Sequence, residues 1–102
     1  MRAADALGEL KDRSAIGRLT DMLRDENSTV RRHAITALSR IGDPSIGPKL
    51  RPALTDPDWQ VRMAGVMAFA LLGGDIPGDL KALALQDENQ DVRKIAAQVF
   101  RE

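Results

Sequence analysis

Several residue types that carry chemistry in other proteins are missing or scarce in this chain of 102 residues. It contains no cysteine and no tyrosine, and it has one histidine, one tryptophan and two phenylalanines. Without cysteine, the chain can form neither a disulfide framework nor a thiolate nucleophile. The absence of cysteine suits a reducing compartment, and we expect a cytoplasmic protein.

An excess of charge of one sign is also missing. Fifteen basic and fifteen acidic residues give a formal net charge of zero, and the two signs alternate along the chain. No overall field therefore attracts nucleic acid or an anionic membrane, and we expect neither as a partner. The longest uncharged run, residues 63–74, is too short to span a bilayer, and Asp5 and Glu9 interrupt any signal-peptide core.

What the sequence does contain is an internal repeat with a period of 31 residues. The segments VRRHAITALSRIGD, VRMAGVMAFALLGG and VRKIAAQVFRE begin at Val30, Val61 and Val92, which lie 31 residues apart. The same period aligns residues 3–10 with residues 34–41, so the chain opens within the second helix of a unit. We predict a single domain, 1–102, with a partial repeat at 1–12 and three repeats at about 13–43, 44–74 and 75–102.

The spacing of apolar residues predicts two helices in each unit. In the second, or inner, helix, apolar residues such as Val30, Ala34 and Leu38 recur every three or four positions and share one face. Gly42 and the glycine pair at 73 and 74 are placed to end the first two inner helices. The residues placed to cap the three inner helices at their N-termini are Asn27, Asp58 and Asn89.

The first, or outer, helix of each unit is predicted to be shorter. The apolar pattern places these helices at about 14–24, 45–54 and 77–86. Pro48 falls in the first turn of the second outer helix, where proline removes no hydrogen bond. Pro52 lies further along the same helix, and we expect a kink or early unwinding there.

The repeated segment resembles a known family. The stretch LRDENSTVRRHAITALSRIGD, echoed by RAADALGEL near the start, is similar to the HEAT-like repeats named after phycobilisome lyases. The resemblance implies an all-α fold, an α-solenoid of about three full helix pairs plus an N-terminal partial repeat, with the inner helices lining the concave side. It also implies a structural ladder in which aspartates pair with arginines, namely Asp25, Asp56 and Asp87 with Arg31, Arg62 and Arg93.

Enzymes with related repeats provide a test for catalysis. The deoxyhypusine hydroxylases hold iron with His-Glu pairs on their inner helices, at places occupied here by Arg32-His33, Met63-Ala64 and Lys94-Ile95. One histidine without such a partner does not make a metal site, and we expect His33 to be a half-buried structural residue. We therefore predict no catalytic residues, no metal and no cofactor.

A DNA glycosylase is also disfavoured, because reading an extruded base requires stacking aromatics and a basic groove. Here only Trp59 could stack, and it lies at a helix start, where packing on a neighbouring helix is the simpler interpretation.

The inner helix of the second repeat is apolar on every side. On a helical wheel drawn from Val61, the positions farthest from the core hold Met63, Met67 and Ala70, where the neighbouring repeats have mostly polar or charged residues. We predict a partner-binding strip at these three residues, flanked by Arg32 and Lys94. The alternatives are that the methionines are scattered surface residues, or that they are buried in a symmetric dimer.

These patterns favour a non-enzymatic scaffold that binds a protein or peptide through its inner-helix, concave face. The alternative function is an accessory subunit of a bilin lyase or of a related pigment-handling enzyme. The sequence opens on an inner-type helix and closes without a polar capping helix, so we also expect self-association through the ends or a place in a longer array.

Overall fold

In the computed structural model of the protein, residues 15–73 and 76–100 are described, and this part of the chain is helical without any strand. A 3-10 helix, Pro44–Leu50, leads directly into an α-helical turn, Arg51–Leu54. The predicted partial repeat, 1–12, lies outside the described residues. The α-helices are α1 (Ile16–Met22), α2 (Ser28–Ile41), α3 (Arg51–Leu54), α4 (Trp59–Leu72), α5 (Gly78–Leu85) and α6 (Gln90–Val99).

The inner helices α2, α4 and α6 begin at the predicted N-caps. Asn27 and Asp58 each accept a hydrogen bond from the backbone N–H two residues later, at 2.8 Å. Asn89 accepts from two first-turn N–H groups, those of Asp91 and Val92. These bonds satisfy donors that a helix start otherwise leaves without partners, so the predicted caps are confirmed.

The predicted glycine stops at Gly42 and Gly73 are confirmed as well, and Gly74 lies outside the described residues. Gly42 and Gly73 are the C-caps of α2 and α4, and both have positive φ angles, of 74° and 68°. Glycine adopts this conformation without the steric cost that a side chain adds, so the chain turns away from the helix axis at these two positions.

The second outer segment differs from the predicted single helix over residues 45–54. It is a 3-10 helix up to Leu50, followed by one α-helical turn. Pro48 lies inside the 3-10 helix and not in a first turn, so that part of the prediction was wrong. A continuous α-helix would press the ring of Pro52 against the carbonyl of residue 48, and restarting the helix at Arg51 instead places Pro52 in its first turn.

The helices form two layers. In the inner layer, α2 packs against α4 and α4 packs against α6, while α1, α3 and α5 of the outer layer pack against the inner helix of their own repeat. The apolar faces of both layers meet between them and form one continuous core. The architecture is an α-solenoid of stacked helix pairs, as predicted. The largest fully buried side chains are Leu19, Ile35, Leu38, Ile46, Leu50, Val61, Val66, Leu80 and Val92.

Along residues 15–73 and 76–100, none of the helices combines the length and the apolar character needed to cross a membrane. The most apolar of them, α4, is 14 residues long.

The two layers lie very close together in the second repeat, at Gly65 of α4. A β-carbon built on Gly65 would lie 2.9 Å from the β-carbon of Ala53 and 3.4 Å from Cδ2 of Leu54. The equivalent positions in the first and third repeats are Ala34 and Ala96, which hold a methyl group at the same place in their helices. The second repeat therefore packs α3 onto α4 at a distance that requires glycine.

We predict that Gly65→Ala destabilises the fold, although alanine is the better helix former. The helix-propensity gain of about 0.5–1 kcal/mol is smaller than the overpacking cost of about 1–3 kcal/mol, because the Ala53 β-carbon is fixed to the backbone and cannot rotate away. Urea unfolding measures the difference, and adding Ala53→Gly should recover part of the loss. A Gly65→Ala protein more stable than wild type would show that the layers have room.

Candidate functional site

The arginine ladder joins each repeat to the next one. Nε of Arg31 donates to Oδ2 of Asp56 at 2.7 Å, and its Nη2 donates to Oδ1 of the same carboxylate at 3.2 Å. Arg62 holds Asp87 with the same two bonds at the same distances. This fork geometry is the bidentate arrangement that only arginine provides. The side-chain pairing therefore runs from an arginine to the aspartate 25 residues later.

Within one repeat, the arginine contacts the aspartate through its backbone instead. Nη1 of Arg31 donates to the carbonyl oxygen of Asp25 at 2.6 Å, and Arg62 and Arg93 repeat this bond to the carbonyls of Asp56 and Asp87. The sequence suggested that each ladder arginine pairs with the aspartate of its own repeat. That contact exists, but it joins the arginine side chain to the aspartate backbone. Each internal arginine binds two consecutive repeats at once.

The ladder aspartates also organise the start of the inner helices. Oδ1 of Asp56 accepts from the backbone N–H of Asp58 at 2.9 Å, and Asp87 does the same for Asn89. The residue whose N–H donates this bond is the N-cap of the following helix. One carboxylate therefore connects the arginine of the preceding repeat with the helix start of its own repeat.

The Arg62–Asp87 pair is the most enclosed of the ladder pairs in the described part of the chain. The side chains are 9% and 6% exposed, and their hydrogen-bonding groups are used by one another and by the backbone. Removing one member of such a pair leaves the other charge buried without compensation. Arg93, by contrast, has an exposed side chain, and no described aspartate carboxylate bonds to it.

The N-cap Asp58 carries a pKa below its ordinary value of 3.8. The chief cause is the backbone N–H of Gln60, which bonds the ionised carboxylate, and the hydroxyl of Ser28 and the charge of Arg32 act in the same direction. The exposed Asp79 also has a lowered pKa, because Nη1 of Arg51 donates to its carboxylate at 2.9 Å.

The predicted binding strip on α4 is divided by the structure. Met67 and Ala70 are exposed, Met67 by 50%, whereas Met63 is half-buried and packs against the core. Leu71, which the sequence reasoning did not include, is 73% exposed and is the most exposed large apolar side chain of the described residues. The exposed apolar side chains in the C-terminal half of α4 are Met67, Ala70 and Leu71, which we call the α4 strip.

The difference has a simple geometric cause. The helical wheel took Val30 and Val61 as the centre of the core-facing side of their helices. The buried face reaches further round each helix, because Ile35 and Val66 are also fully buried. The centre of the buried face is thus rotated from Val61 towards Phe69, and the outward direction falls at Met67. Averaging the directions of all the apolar positions common to the repeats would have revealed this rotation.

The two predicted flanking cations lie on the neighbouring inner helices. Arg32 on α2 is half-buried, its Nη2 donates to the hydroxyl of Thr29 at 3.4 Å, and its buried Nε has no described hydrogen-bond partner. Lys94 on α6 is exposed and lines a hollow of about 410 Å³ on the far side of the third repeat. His33 is half-buried, and Trp59 is partly exposed at the first residue of α4.

In the described ranges, 15–73 and 76–100, the acidic residues and the single histidine nowhere gather in a group of three that could hold a metal ion.

A layered stack of helix pairs joined by a repeated arginine–aspartate contact defines the class of helical-repeat proteins. Comparison with known families gives the particular one, because the family described as HEAT repeats matches residues 1–70. The match covers more than half of the chain, which therefore belongs to the HEAT repeat family. No curated protein sequence matches the chain.

We predict that Arg62→Ala costs far more stability than Arg93→Ala. Loss of Arg62 leaves the buried Asp87 without its partner, which costs about 3–5 kcal/mol, whereas loss of the exposed Arg93 costs less than about 1 kcal/mol. Urea unfolding of both variants measures this difference, with Lys49→Ala as the exposed control. Equal and small losses at the two arginines would show that the ladder does not hold the repeats together.

The lowered pKa of Asp58 predicts a contribution to acid sensitivity. Because the folded-state pKa lies below 3.8, the stabilisation is present above that pH and is lost as the pH falls through the folded value. Asp58→Asn, which places the residue type of Asn27 and Asn89 in the second repeat, keeps the cap but cannot titrate. Unfolding measured from neutral pH to pH 3 should show a smaller acid loss in the variant, and parallel curves would contradict the assignment.

Proposed function

We propose that this chain is a non-enzymatic scaffold that binds a protein or peptide segment through its inner-helix face, centred on the α4 strip. The observation that carries the proposal is the exposure of Met67 and Leu71 on a helix that already buries Val61, Val66 and Phe69 on its other side. A helix that has filled its core face and remains apolar outside is typical of one that packs against a second surface.

Comparison between the repeats supports this interpretation. The residues that correspond to Met67 and Leu71 in the first repeat are Thr36 and Arg40, and the third repeat has Gln98 in place of Met67. All three of these polar side chains are exposed. Stacking of the repeats therefore does not require an apolar residue at this place, and the α4 strip is a feature of the second repeat alone.

The chemistry of the strip favours an apolar peptide face as the partner. Methionine is flexible and polarisable, and methionine-rich surfaces accept amphipathic helices by adjusting to their side chains. Arg32 and Lys94 lie on the two neighbouring inner helices, Arg32 half-buried and Lys94 exposed beside the hollow on the far side of the third repeat, and we assign them to acidic residues at the ends of such a segment. HEAT repeats are commonly protein-interaction scaffolds, which agrees with this partner class.

The balanced charge of the chain favours a protein partner over nucleic acid or a lipid surface. A cytoplasmic location completes the proposal, supported by a sequence that requires no oxidising compartment because it contains no cysteine.

The alternative, an accessory role in a bilin lyase of the phycobilisome type, rests on the sequence motif and makes a different prediction. An open-chain tetrapyrrole bound to the protein would shift its absorption band in proportion to the protein added. Titration of the purified chain with a bilin tests this directly. A stoichiometric shift would favour the pigment role and would argue against the scaffold.

The scaffold proposal predicts that charge on the α4 strip abolishes peptide binding without unfolding the protein. Amphipathic helical peptides are selected by phage display against the wild-type chain, and their affinities are then measured for Met67→Lys/Leu71→Lys. We expect the double variant to lose at least tenfold in affinity, because each lysine replaces an apolar contact with a solvated charge.

Leu83→Lys is the matched control, since Leu83 is an exposed leucine on the outer helix α5. It should bind the selected peptides as the wild type does, and circular dichroism should show all three proteins equally helical. Peptides that bind the double variant as tightly as wild type would place the binding surface elsewhere.

A further inference from the structure

Met67 is the methionine that solvent reaches most easily in the described part of the chain. It is 50% exposed, whereas Met22 and Met63 are half-buried and pack against the core. The helix that carries it, α4, is the central inner helix and packs against a described helix on each side, α2 and α6. The remaining methionine, Met1, lies outside the described residues. A small oxidant in solution therefore meets the sulfur of Met67 more readily than that of Met22 or Met63.

The composition of the chain leaves such an oxidant few other targets. A cysteine thiolate is the side chain that peroxides attack first, and this chain has no cysteine. The thioether sulfur of methionine then becomes the principal target. Addition of one oxygen turns this flexible apolar side chain into a polar one.

A polar side chain at the place of Met67 is compatible with the fold. Thr36 and Gln98 occupy the equivalent positions in the first and third repeats, and both are exposed. The hydroxyl of Thr36 donates to the carbonyl of Arg32 within its own helix, at 3.1 Å. At Met63, by contrast, a sulfoxide would lie partly buried against apolar side chains. Oxidation of Met67 thus changes the surface of α4 without disturbing the stack.

We propose that Met67 is a site of reversible oxidation to methionine sulfoxide, and that this modification weakens binding of an apolar partner to the α4 strip. The second part rests on the proposed scaffold function, and the first part does not. Residues three and four positions apart are neighbours on a helix, so the sulfoxide oxygen adjoins Ala70 and Leu71. An apolar partner face offers this oxygen no hydrogen-bond donor, so covering it costs the hydration that it loses.

The oxidant in this proposal is hydrogen peroxide. A lone pair of the Met67 sulfur attacks one peroxide oxygen, so that an S–O bond forms and the O–O bond breaks. The hydroxide that leaves takes the proton of the transferred oxygen and departs as water. Sulfur loses two electrons, and the peroxide gains them. Methionine sulfoxide reductases reverse the change with a dithiol, which becomes a disulfide while the oxygen leaves as water.

The site itself is tested by treating the folded chain with hydrogen peroxide and following each methionine by mass spectrometry. Met22 lies in the tryptic peptide 19–24, and Met63 and Met67 share the peptide 63–81, where fragment ions separate them. Met67 should oxidise several times faster than the other two. In concentrated urea the three rates should converge, because the difference arises from the fold. Equal rates in the folded protein, or faster oxidation of Met63, would overturn the assignment.

Two variants connect the modification with binding of the peptides selected against the wild-type chain. Met22→Leu/Met63→Leu leaves Met67 as the reactive sulfur among the described residues. After peroxide, we expect it and the wild type to lose affinity by about fivefold or more, because an apolar contact becomes polar. Met67→Leu lacks this sulfur, so its affinity should be the same before and after treatment. Met1 is present in every protein compared, so its oxidation does not account for a difference between them.

Reversal and imitation of the sulfoxide complete the design. Incubation of the oxidised wild type with the two epimer-specific sulfoxide reductases and dithiothreitol should restore its affinity. Met67→Gln places the residue of Gln98 in the second repeat and should bind the peptides weakly both before and after peroxide. The urea midpoints of Met67→Gln and of the oxidised wild type should match that of the untreated protein, since this position tolerates a polar side chain.

The outcomes separate this inference from the scaffold proposal. Peptides that bind Met67→Lys/Leu71→Lys as tightly as wild type would disprove the scaffold surface and the effect on binding together, while the oxidation rates still decide the site. Peptides that require the α4 strip but bind the oxidised wild type unchanged would disprove the effect on binding alone. A Met67→Leu protein that loses affinity after peroxide would do the same, because another residue would then be responsible.

Discussion

The bidentate bond from an arginine to the aspartate of the next repeat is the contact on which the other features of this fold depend. A helix pair of this size buries its apolar face only when a neighbour covers it, and the ladder determines how that neighbour is placed. The same aspartate supports the N-cap of its own inner helix through Asp58 or Asn89. A single carboxylate thus links the stacking of the repeats to the start of each helix.

A charged contact fixes the orientation of one repeat against the next better than an apolar contact would. Apolar side chains such as Leu54 and Val61 contribute to the core, but they leave the rotation of one helix pair against the next weakly specified. The planar guanidinium of Arg62 accepts only a narrow range of carboxylate orientations, while its third nitrogen binds the carbonyl of Asp56 in its own repeat. The hydrogen bonds within the pair offset the cost of removing its two charges from water. The same bonds restrict the rotation of one helix pair against the next.

Much of this fold is predictable from the sequence, because the period of 31 residues and the capping residues are local signals. The N-caps at Asn27, Asp58 and Asn89 depend on bonds to residues two or three positions away, and they were predicted correctly. The ladder residues could also be named, but Arg31 lies within reach of two aspartates, and only packing decides that Asp56 provides the carboxylate and Asp25 the carbonyl. Leu71 was missed because the orientation of a helix depends on both of its neighbours, whereas the wheel used one reference residue.

The close approach of α3 and α4 at Gly65 affects how such an array can be altered by exchange of its units. All repeats share the arginine and aspartate of the junction, so a unit transplanted from one place to another brings a compatible connection. The spacing between its two layers is not shared, because Ala53 lies where a methyl group on α4 would have to fit. Recombination between α3 and α4 would pack α3 against an inner helix from another repeat. That helix has alanine, Ala34 or Ala96, at the position where α3 leaves room only for glycine. The unit of exchange in this protein is therefore the complete helix pair.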